Sequence, residues 1–416
     1  MRPGSLLLPV LGLFLLTAPS LRAQSNTECL ECHGDTTLTT ETPTGQQRSL
    51  FIDKKIFAGS VHGDMDCIDC HADIQELPHE EKLQKVQCGT CHEDEQAALD
   101  VGVHGKALRE HSPDAPTCAQ CHGTHDILPA DSSGSRVSKA HQAETCGSCH
   151  ANPEIVARNN IPIKNPVALY EKSIHGRLVA GGNMQAAICS DCHGAHDIRP
   201  ATDPKAPIFK LNVPLTCSKC HEKEYKDYSI SVHATSLAAG AADAPVCTNC
   251  HGEHDILRPE NPQAPTSGIH VATEVCSPCH ASQRLAQKYG FSTQRVKAYR
   301  DSYHGLALRG GKVAVANCGS CHGVHDILPS SDPRSSINPA NLTRTCGKCH
   351  PNATANFSKG KVHLVEGEKE TEIVKYIRSI YIGLIIVVIG FMFFHNLIDF
   401  IAKVKQTRIE RYHASK

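Results

Sequence analysis

Residues 114–128 read DAPTCAQCHGTHDIL, and residues 243–257 read DAPVCTNCHGEHDIL. Each stretch contains a Cys-x-x-Cys-His pentapeptide, and a second histidine stands three positions after the first. The pentapeptide occurs eleven times and accounts for all 22 cysteines of the chain. The motifs begin at Cys29, Cys67, Cys88, Cys118, Cys146, Cys189, Cys217, Cys247, Cys276, Cys318 and Cys346. Because no cysteine is left over, one chemistry has to explain every thiol.

That chemistry is covalent haem attachment. The two cysteines of this motif add across the vinyl groups of haem, and the histidine becomes the proximal iron ligand. The second cysteines are Cys32, Cys70, Cys91, Cys121, Cys149, Cys192, Cys220, Cys250, Cys279, Cys321 and Cys349. The proximal histidines are His33, His71, His92, His122, His150, His193, His221, His251, His280, His322 and His350. The sequence therefore predicts eleven covalently bound haems c.

Other uses of cysteine fit the spacing poorly. A disulfide framework does not need a histidine after every second cysteine. Structural zinc requires four protein ligands, so each motif would have to be completed elsewhere. A redox dithiol is expected once, beside a strand–helix unit, and not eleven times. Haem is the interpretation that explains the whole pattern.

The composition agrees with a chain packed around porphyrin. There is no Trp, and aromatic residues make up only 5% of the 416 residues. A conventional core of this size would contain more large side chains. The formal net charge is −1, and no basic patch suggests nucleic acid as a partner.

The N-terminal residues 1–23 are typical of a signal peptide. Arg2 supplies a positive charge, residues 6–16 are apolar, and Ala23 offers a small residue for cleavage. An N-terminal anchor helix is the weaker alternative because the apolar run is short for a bilayer. Secretion is consistent with the haem motifs, since bacteria attach haem c outside the cytoplasm.

The C-terminal residues 376–402 are predicted to form one transmembrane helix. Residues 380–394 contain no charge, and with residues 397–401 the apolar run is long enough to cross a bilayer. Lys403, Lys405, Arg408 and Arg411 follow and favour a cytoplasmic tail over residues 403–416. The expected location is the bacterial inner membrane, with the haem domain in the periplasm.

The middle of the chain is duplicated with a period of 129 residues, as the two opening stretches show. A fixed period indicates an array of stacked units. We expect an N-terminal trihaem segment over 24–103, tetrahaem repeats over 104–232 and 233–362, and a linker over 363–375. The predicted fold class is mainly irregular with short α-helices, an extended haem-packed array of tandem tetrahaem repeats with one C-terminal transmembrane helix.

The repeat also selects candidates for the distal iron ligand. With only four methionines in the chain, histidines must fill most of these positions. One class recurs in a short x-His-x context, a second follows the motif as CHGxHD, and His79 looks like an early variant of the second class. These eleven candidates are His62, His104, His175, His233, His304 and His363, then His125, His196, His254 and His325, and His79.

Other histidines receive different predictions. His141 and His270 repeat at 129 residues but have no counterpart in the other half-repeats, so we expect them to orient haem edges. His395 lies inside the predicted span, one turn before Asp399 on the same face. An ionisable residue there is either an interfacial anchor or a contact to a quinone or a b-type haem of a partner.

The CxxCHGxHDI repeats, SIHG at 173–176, SYHG at 302–305 and GFMFFHNLIDF at 390–400 carry a resemblance. The chain resembles periplasmic multihaem c-type cytochromes, in particular the c-type portion of inner-membrane b/c-type quinol-linked cytochromes of respiratory and metal-reducing bacteria. That resemblance implies a membrane b-type cytochrome or quinol-oxidising subunit as partner. It also implies electron transfer between the quinone pool and periplasmic redox proteins.

Two functions follow from the ligand count. An electron conduit needs every haem six-coordinate, and eleven candidates match eleven haems. A reductase or oxidase of a small nitrogen or sulfur oxyanion needs one open iron position. Relatives of that kind often mark the open site with Cys-x-x-Cys-Lys, which does not occur here. The sequence therefore favours an electron-transfer protein without catalytic residues over an enzyme.

Overall fold

A computed structural model of the chain describes residues 25–42, 45–80, 82–360, 362–363 and 372–415. The predicted signal peptide over 1–23 and most of the predicted linker lie outside these residues. The chain divides into two compact units, Met1–Pro265 and Thr266–Lys416. This division falls within the predicted second repeat, 233–362, and the repeat boundaries themselves stay a prediction.

The described part of the first unit consists of short helices joined by turns. They are α1 Asn26–His33, α2 Lys54–Ala58, α3 Cys67–Cys70, α4 Glu93–Val101, α5 Val103–Arg109, α6 Cys118–His122, α7 Gln142–His150, α8 Pro153–Arg158, α9 Pro166–Lys172, α10 Ile174–Ala180, α11 Cys189–His193, α12 Val213–Ser218, α13 Glu222–Ser229, α14 Val232–Ala238 and α15 Cys247–His251. Cys88–Thr90 forms a 3₁₀ turn. Strands β1 Thr39–Glu41 and β2 Gln47–Ser49 pair antiparallel, with Thr40 opposite Arg48.

The second unit begins with a π-helical turn over Val271–Cys276. Its helices are α16 Ser277–His280, α17 Gln283–Tyr289, α18 Gln294–Asp301, α19 Tyr303–Arg309, α20 Cys318–His322, α21 Leu342–Gly347 and α22 Glu372–Ala414, with a 3₁₀ turn over Phe357–Lys359. The described residues thus form short helices with almost no strand, which confirms the predicted fold class.

Glycine ends the motif helix wherever CHGxHD occurs. Gly123 has φ 96°, and Gly194, Gly252 and Gly323 have φ 82°. A β-carbon at Gly123 would lie 2.5 Å from a carboxylate oxygen of Asp126, which accepts a hydrogen bond from the Thr124 amide at 3.0 Å. A side chain is therefore excluded both by this conformation and by the carboxylate. The turn leads the chain away from the motif just before the second histidine.

The apolar core is small in both units. In the first unit, Val179, Ala186 and Ile188 form a buried cluster, and in the second Ala272 and Leu308 pack with Tyr299. The largest fully buried side chains in the described part are the serines Ser173 and Ser231. Such clusters give little hydrophobic stabilisation, so the fold depends on another apolar component.

Helix α22 is the one long helix of the described residues. Its segment Lys375–Arg411 has a mean hydropathy of 2.3 in its most apolar stretch, and none of that stretch is buried. This helix fits a single membrane anchor. The helix continues past residue 402, the predicted end of the membrane-spanning segment, and Lys403 pairs with Asp399 at 2.8 Å within it.

We expect a chain that ends at residue 374 to be released from the membrane. Removing α22 takes away the exposed apolar surface that would partition into lipid. After fractionation, the truncated chain should appear in the soluble fraction, whereas the full-length chain should need detergent and resist extraction by high salt. A truncated chain that still sediments with membranes would contradict the assignment of α22 as the anchor.

Candidate haem-binding sites

No disulfide joins the 22 cysteines of the eleven motifs, all of which lie in the described part of the chain. In CHGxHD segments such as α6 and α11, the motif itself forms a single helical turn, which places both cysteines and the histidine on consecutive helical positions. Other motifs end a longer helix, as in α7. Either way, helical spacing projects the two sulfurs toward one side, as thioether bonds to one porphyrin require.

Each motif histidine in the following pairs faces a second histidine from another segment. The ring centroids are 5.9–6.3 Å apart in every pair. The pairs are His33–His79, His92–His62, His71–His125, His150–His104, His122–His196, His221–His175, His193–His254, His350–His304 and His322–His363.

The spacing fits a metal ion between the rings. Two imidazoles that bind one ion through bonds of about 2 Å have ring centres about 6 Å apart. Direct stacking would bring the rings closer, and a hydrogen bond between them would give no reason for a constant spacing. The residues present therefore fit a haem iron with two histidine ligands.

Every one of these pairs joins a proximal histidine to a predicted distal candidate. His125 faces His71 and not the neighbouring His122, as expected for a residue that reaches another motif. His79 faces His33, in the same role as the CHGxHD histidines. The remaining motif histidines are His251 and His280, and the remaining distal candidates are His233 and His325. Each of these four residues also has an interaction partner.

Hydrogen bonds prepare some of the rings for metal binding. The Nδ1 atoms of His33, His79 and His363 lie 2.9, 2.7 and 2.8 Å from the carbonyl oxygens of Leu50, Glu80 and Arg295. A ring that donates from Nδ1 keeps the lone pair of Nε2 free for iron. These carbonyls therefore fix both the tautomer and the orientation of the ring.

Burial keeps many of the histidines neutral. Loss of solvation lowers the pKa below the ordinary value at both members of the pairs His71–His125, His104–His150 and His322–His363, and at His122, His175, His193, His280 and His304. A neutral imidazole is the form that binds a metal ion. These rings are thus available as ligands at neutral pH.

The first class of distal histidine is held by a recurring backbone bond. The residue before the histidine donates its amide to the isoleucine carbonyl of the CHGxHDI segment in the half-repeat that follows. The bonds run from Val61 to Ile127, from Val103 to Ile198 and from Ile174 to Ile256, all at 2.8 Å. This bond links consecutive half-repeats within the first unit.

In three of the helices that carry these histidines, a serine caps the N-terminus and so fixes where the helix begins. Ser173, Ser231 and Ser302 accept hydrogen bonds from the amides of Gly176, Ala234 and Gly305 at 3.0–3.3 Å. The distal histidine is consequently the second residue of its short helix. Such a cap stabilises a helix terminus by about 1 kcal/mol.

Three tyrosines connect the helices that precede these, α9, α13 and α18, to the next motif. Tyr170, Tyr228 and Tyr299 donate to the carbonyls of Ala187, Pro245 and Ala316 at 2.9–3.0 Å. Each tyrosine precedes its distal histidine by five residues, and each acceptor precedes a motif cysteine by two. Sequence reasoning missed these residues, although the 129-residue step from Tyr170 to Tyr299 could have revealed them.

Cysteines of consecutive motifs also meet. Their first cysteines are close neighbours in five cases: Cys29–Cys67, Cys88–Cys118, Cys146–Cys189, Cys217–Cys247 and Cys276–Cys318. Burial and the nearby Cys29 raise the pKa of Cys67 to about 11. Between these contacts, Cys70 interacts with Cys88, Cys121 with Cys149, Cys192 with Cys217 and Cys321 with Cys346. Within each unit the motifs therefore follow one another in space in their sequence order.

Some buried polar atoms have no hydrogen-bond partner. The hydroxyls of Ser138 and Ser267, which are equivalent in the 129-residue repeat, are of this kind. An unsatisfied buried donor is costly, and a carboxylate would satisfy it. The haem propionates are carboxylates, so these donors also fit haem.

His141 and His270 cap helices and do not pair with a motif histidine in the described part of the chain. His141 precedes α7 and lies 3.8 Å from Glu144, and His270 precedes the π-helical turn and lies 2.6 Å from Glu274. The equivalent residues of the other half-repeats are Asn212 and Asn341, whose amides each donate to two backbone carbonyls. The predicted role in orienting haem edges stays a prediction.

His395 and Asp399 both lie in α22, one turn apart. The His395 ring contacts the Phe391 ring with centroids 6.3 Å apart, and Asp399 pairs with Lys403 at 2.8 Å. The face predicted to touch a quinone or a partner thus carries a histidine followed by an ion pair. Its role stays a prediction.

Residues 55–123 match the family described as cytochrome c7 and related cytochrome c. This segment contains three motifs, which begin at Cys67, Cys88 and Cys118, and the complete histidine pair His62–His92. No curated protein and no solved structure matches the chain significantly. The family match and the paired motifs support covalently bound haem c.

Replacing Tyr170 with phenylalanine should remove one hydrogen bond and destabilise the chain by about 1 kcal/mol. Burial raises the pKa of Tyr170 to about 12, above the value of about 10 in an unfolded chain. The stabilisation by the neutral phenol is therefore complete below pH 10 and is lost as the pH rises toward 12. Denaturant unfolding of both chains at pH 8 and pH 11 measures this difference.

Tyr303→Phe is the matched control, because Tyr303 is 75% exposed. It should leave the unfolding midpoint unchanged at both pH values. If Tyr170→Phe behaves like the control, the bond to Ala187 contributes nothing to the stability of this segment.

Proposed function

We propose that this multihaem electron-transfer cytochrome binds eleven haems c, each with two histidine ligands, and conducts electrons between the membrane quinone pool and periplasmic acceptors. The observation that carries the proposal is the constant spacing of the histidine pairs, 5.9–6.3 Å between ring centroids. Eleven motifs and eleven distal candidates then form one complete set of sites.

The chain itself supplies attachment, ligands and insulation. Haem, when bound, supplies an iron that gains or loses one electron. The cysteines fix each porphyrin by thioether bonds, and the histidine pairs hold the axial positions. The Nδ1 bonds of His33, His79 and His363 keep their rings in place in both oxidation states. Rigid ligation of this kind keeps the reorganisation on electron transfer small.

Full ligation favours a conduit over catalysis. A haem that reduces nitrite or a sulfur oxyanion needs an open position for the substrate. Each motif histidine in the nine pairs has a second histidine at ligand distance, and the remaining two sites have candidates from the same two classes. No described site is distinguished as the place where a substrate would bind, and the pairs therefore favour electron transfer alone.

The cysteine contacts support transfer in sequence order. Because each sulfur would bond to a vinyl-derived carbon at the edge of its porphyrin, the contact between Cys146 and Cys189 would bring two porphyrin edges close. The same holds for Cys29 with Cys67 and for Cys276 with Cys318. Electrons would pass from motif to motif along the sequence, within the first unit and within the second.

The membrane end of the path rests on α22. A helix with its apolar surface exposed fits a single anchor, and the basic residues after it favour a cytoplasmic C-terminus, which would leave the haems in the periplasm. His395 and Asp399 would then face a membrane b-type cytochrome, a quinol-oxidising subunit or the quinone itself. Periplasmic redox proteins would exchange electrons with the other haems.

The haem count can be measured directly. We expect the intact mass of the mature protein to exceed the mass of its polypeptide by eleven haems, since every cysteine belongs to a motif. Cys318→Ala together with Cys321→Ala should lower the excess by one haem and leave the others attached. Nine or fewer haems in fully matured protein would contradict the proposal.

Replacing His395 with alanine tests the membrane contact. The variant should stay in the membrane, because α22 keeps its apolar surface, and its reduction by quinol in membrane vesicles should slow several-fold. Reduction by dithionite should be unchanged, since that reagent reaches the periplasmic haems directly. The time course of haem absorbance after quinol addition measures the effect.

His413→Ala is the matched control on the same helix, beyond the apolar segment, and should be reduced at the wild-type rate. If His395→Ala is also reduced by quinol at that rate, His395 is only an interfacial residue. The quinone link would then need another contact, while the haem count and the conduit would be unaffected.

A further inference from the structure

The histidine pairs differ in the angle between their two ring planes. In the first unit, four pairs are close to parallel, with angles of 5°, 21°, 26° and 18°: His33–His79, His71–His125, His122–His196 and His193–His254. Three pairs of the same unit are strongly tilted, with angles of 74°, 57° and 54°: His62–His92, His104–His150 and His175–His221. No angle of the described pairs falls between 26° and 47°.

The source of the distal histidine decides the angle. The parallel pairs all use a CHGxHD histidine or its variant His79, which follows a motif. The tilted pairs use a histidine of the x-His-x class, which in α5 and α10 lies in the first turn of a short helix. The backbone that carries the ligand thus sets the plane of its ring.

His363 separates the effect of the motif from that of the distal ligand. His322 belongs to a CHGxHD motif, as do His122 and His193, whose pairs are parallel. No further CHGxHD segment follows it in the sequence, and it pairs with His363 of the x-His-x class instead. That pair is tilted by 49°, and the pair His304–His350 of the same unit by 47°. The angle therefore follows the distal ligand.

Local contacts hold the two orientations in place. Both rings of the parallel pair His33–His79 are bonded through Nδ1 to backbone carbonyls. In the tilted pair His175–His221, the helix that carries His175 is capped by the fully buried Ser173. Each bond removes rotational freedom of the ring or of the backbone that carries it. The angle is thus a property of the folded chain.

We propose that these two orientations give the chain two electronic kinds of haem, which alternate along the path. The inference rests on the proposed function, because it requires an iron between the paired histidines. From His71 to His221 the pairs of the motif histidines His71, His92, His122, His150, His193 and His221 are parallel, tilted, parallel, tilted, parallel and tilted in turn.

The physical reason lies in the iron d orbitals. The π electrons of an imidazole raise the energy of the d orbital perpendicular to its plane. Two iron d orbitals can interact with the rings in this way. Parallel rings both raise the same one, so the two orbitals differ in energy and an electron leaves the raised orbital more easily. Tilted rings raise different orbitals, which become nearly equal in energy. Parallel sites therefore have lower potentials, other surroundings being equal, and axial ligation is one of the means by which a protein sets haem potential.

With this alternation, the reduction potential would rise and fall from one haem to the next along the path. The parallel sites of His122 and His193 would each be a step up in energy between two tilted neighbours. Such a profile lets electrons reside on alternate haems, so that repulsion between charges on adjacent haems is reduced. The tilted sites would thus store electrons, and the parallel sites would pass them from one tilted site to the next.

Low-temperature electron paramagnetic resonance of the oxidised full-length protein tests the inference. Parallel sites should give a rhombic low-spin signal, and tilted sites a strongly anisotropic low-spin signal, in comparable amounts. On stepwise reduction the strongly anisotropic signal should disappear at the higher potential. A single kind of low-spin signal, or the reverse order of reduction, would overturn the inference.

Two matched variants assign the signals to residues. His196→Ala removes the distal ligand of a parallel site, and His175→Ala that of a tilted site. Each should convert one haem to high spin, the first at the expense of the rhombic signal and the second at the expense of the strongly anisotropic one. Loss from the same signal in both variants would overturn the inference while leaving the ligand pairs intact. Absence of a high-spin haem in both would instead contradict the ligand pairs and the proposed function.

Discussion

The fold depends on the bond that two distant histidines would make to one iron. The two rings of a pair come from segments far apart in the sequence, as with His122 and His196. A pair of this kind closes a loop of the chain in the way a disulfide does, while the cysteines fix the cofactor to one side. Since the apolar clusters around Ile188 and Leu308 are small, such closures would replace much of what a hydrophobic core provides.

Charge and solvation follow from the same constraint. Rings such as His104 and His193 are buried enough that loss of solvation lowers their pKa, which makes the neutral, metal-binding form dominant before any iron is present. The buried hydroxyls of Ser138 and Ser267 lack a partner. Without cofactor the chain would therefore have small cores and unsatisfied donors. Haem attachment and folding are for this reason expected to be one process.

Much of the site could be predicted from residue spacing. The motif cysteines and histidines need only local sequence, and the 129-residue period marked His175 and His304 as equivalent. Which rings meet could not be predicted, because that depends on turns such as the one at Gly123, whose direction is a matter of backbone torsion. Tyr170 was missed because its role lies in a single hydrogen bond to a backbone carbonyl.

Completion of one site by the following half-repeat has a consequence for how such chains can change in length. With the proposed ligands, His125 would complete the site of His71, His196 that of His122 and His254 that of His193, so each CHGxHD segment would complete a site of the preceding half-repeat. The series begins with His79 and ends with His363, which close the sites at His33 and His322. A gene could therefore gain or lose a whole period between these two ends without leaving any iron short of a ligand. Duplication alone would lengthen the path, and the terminal residues would need no adjustment.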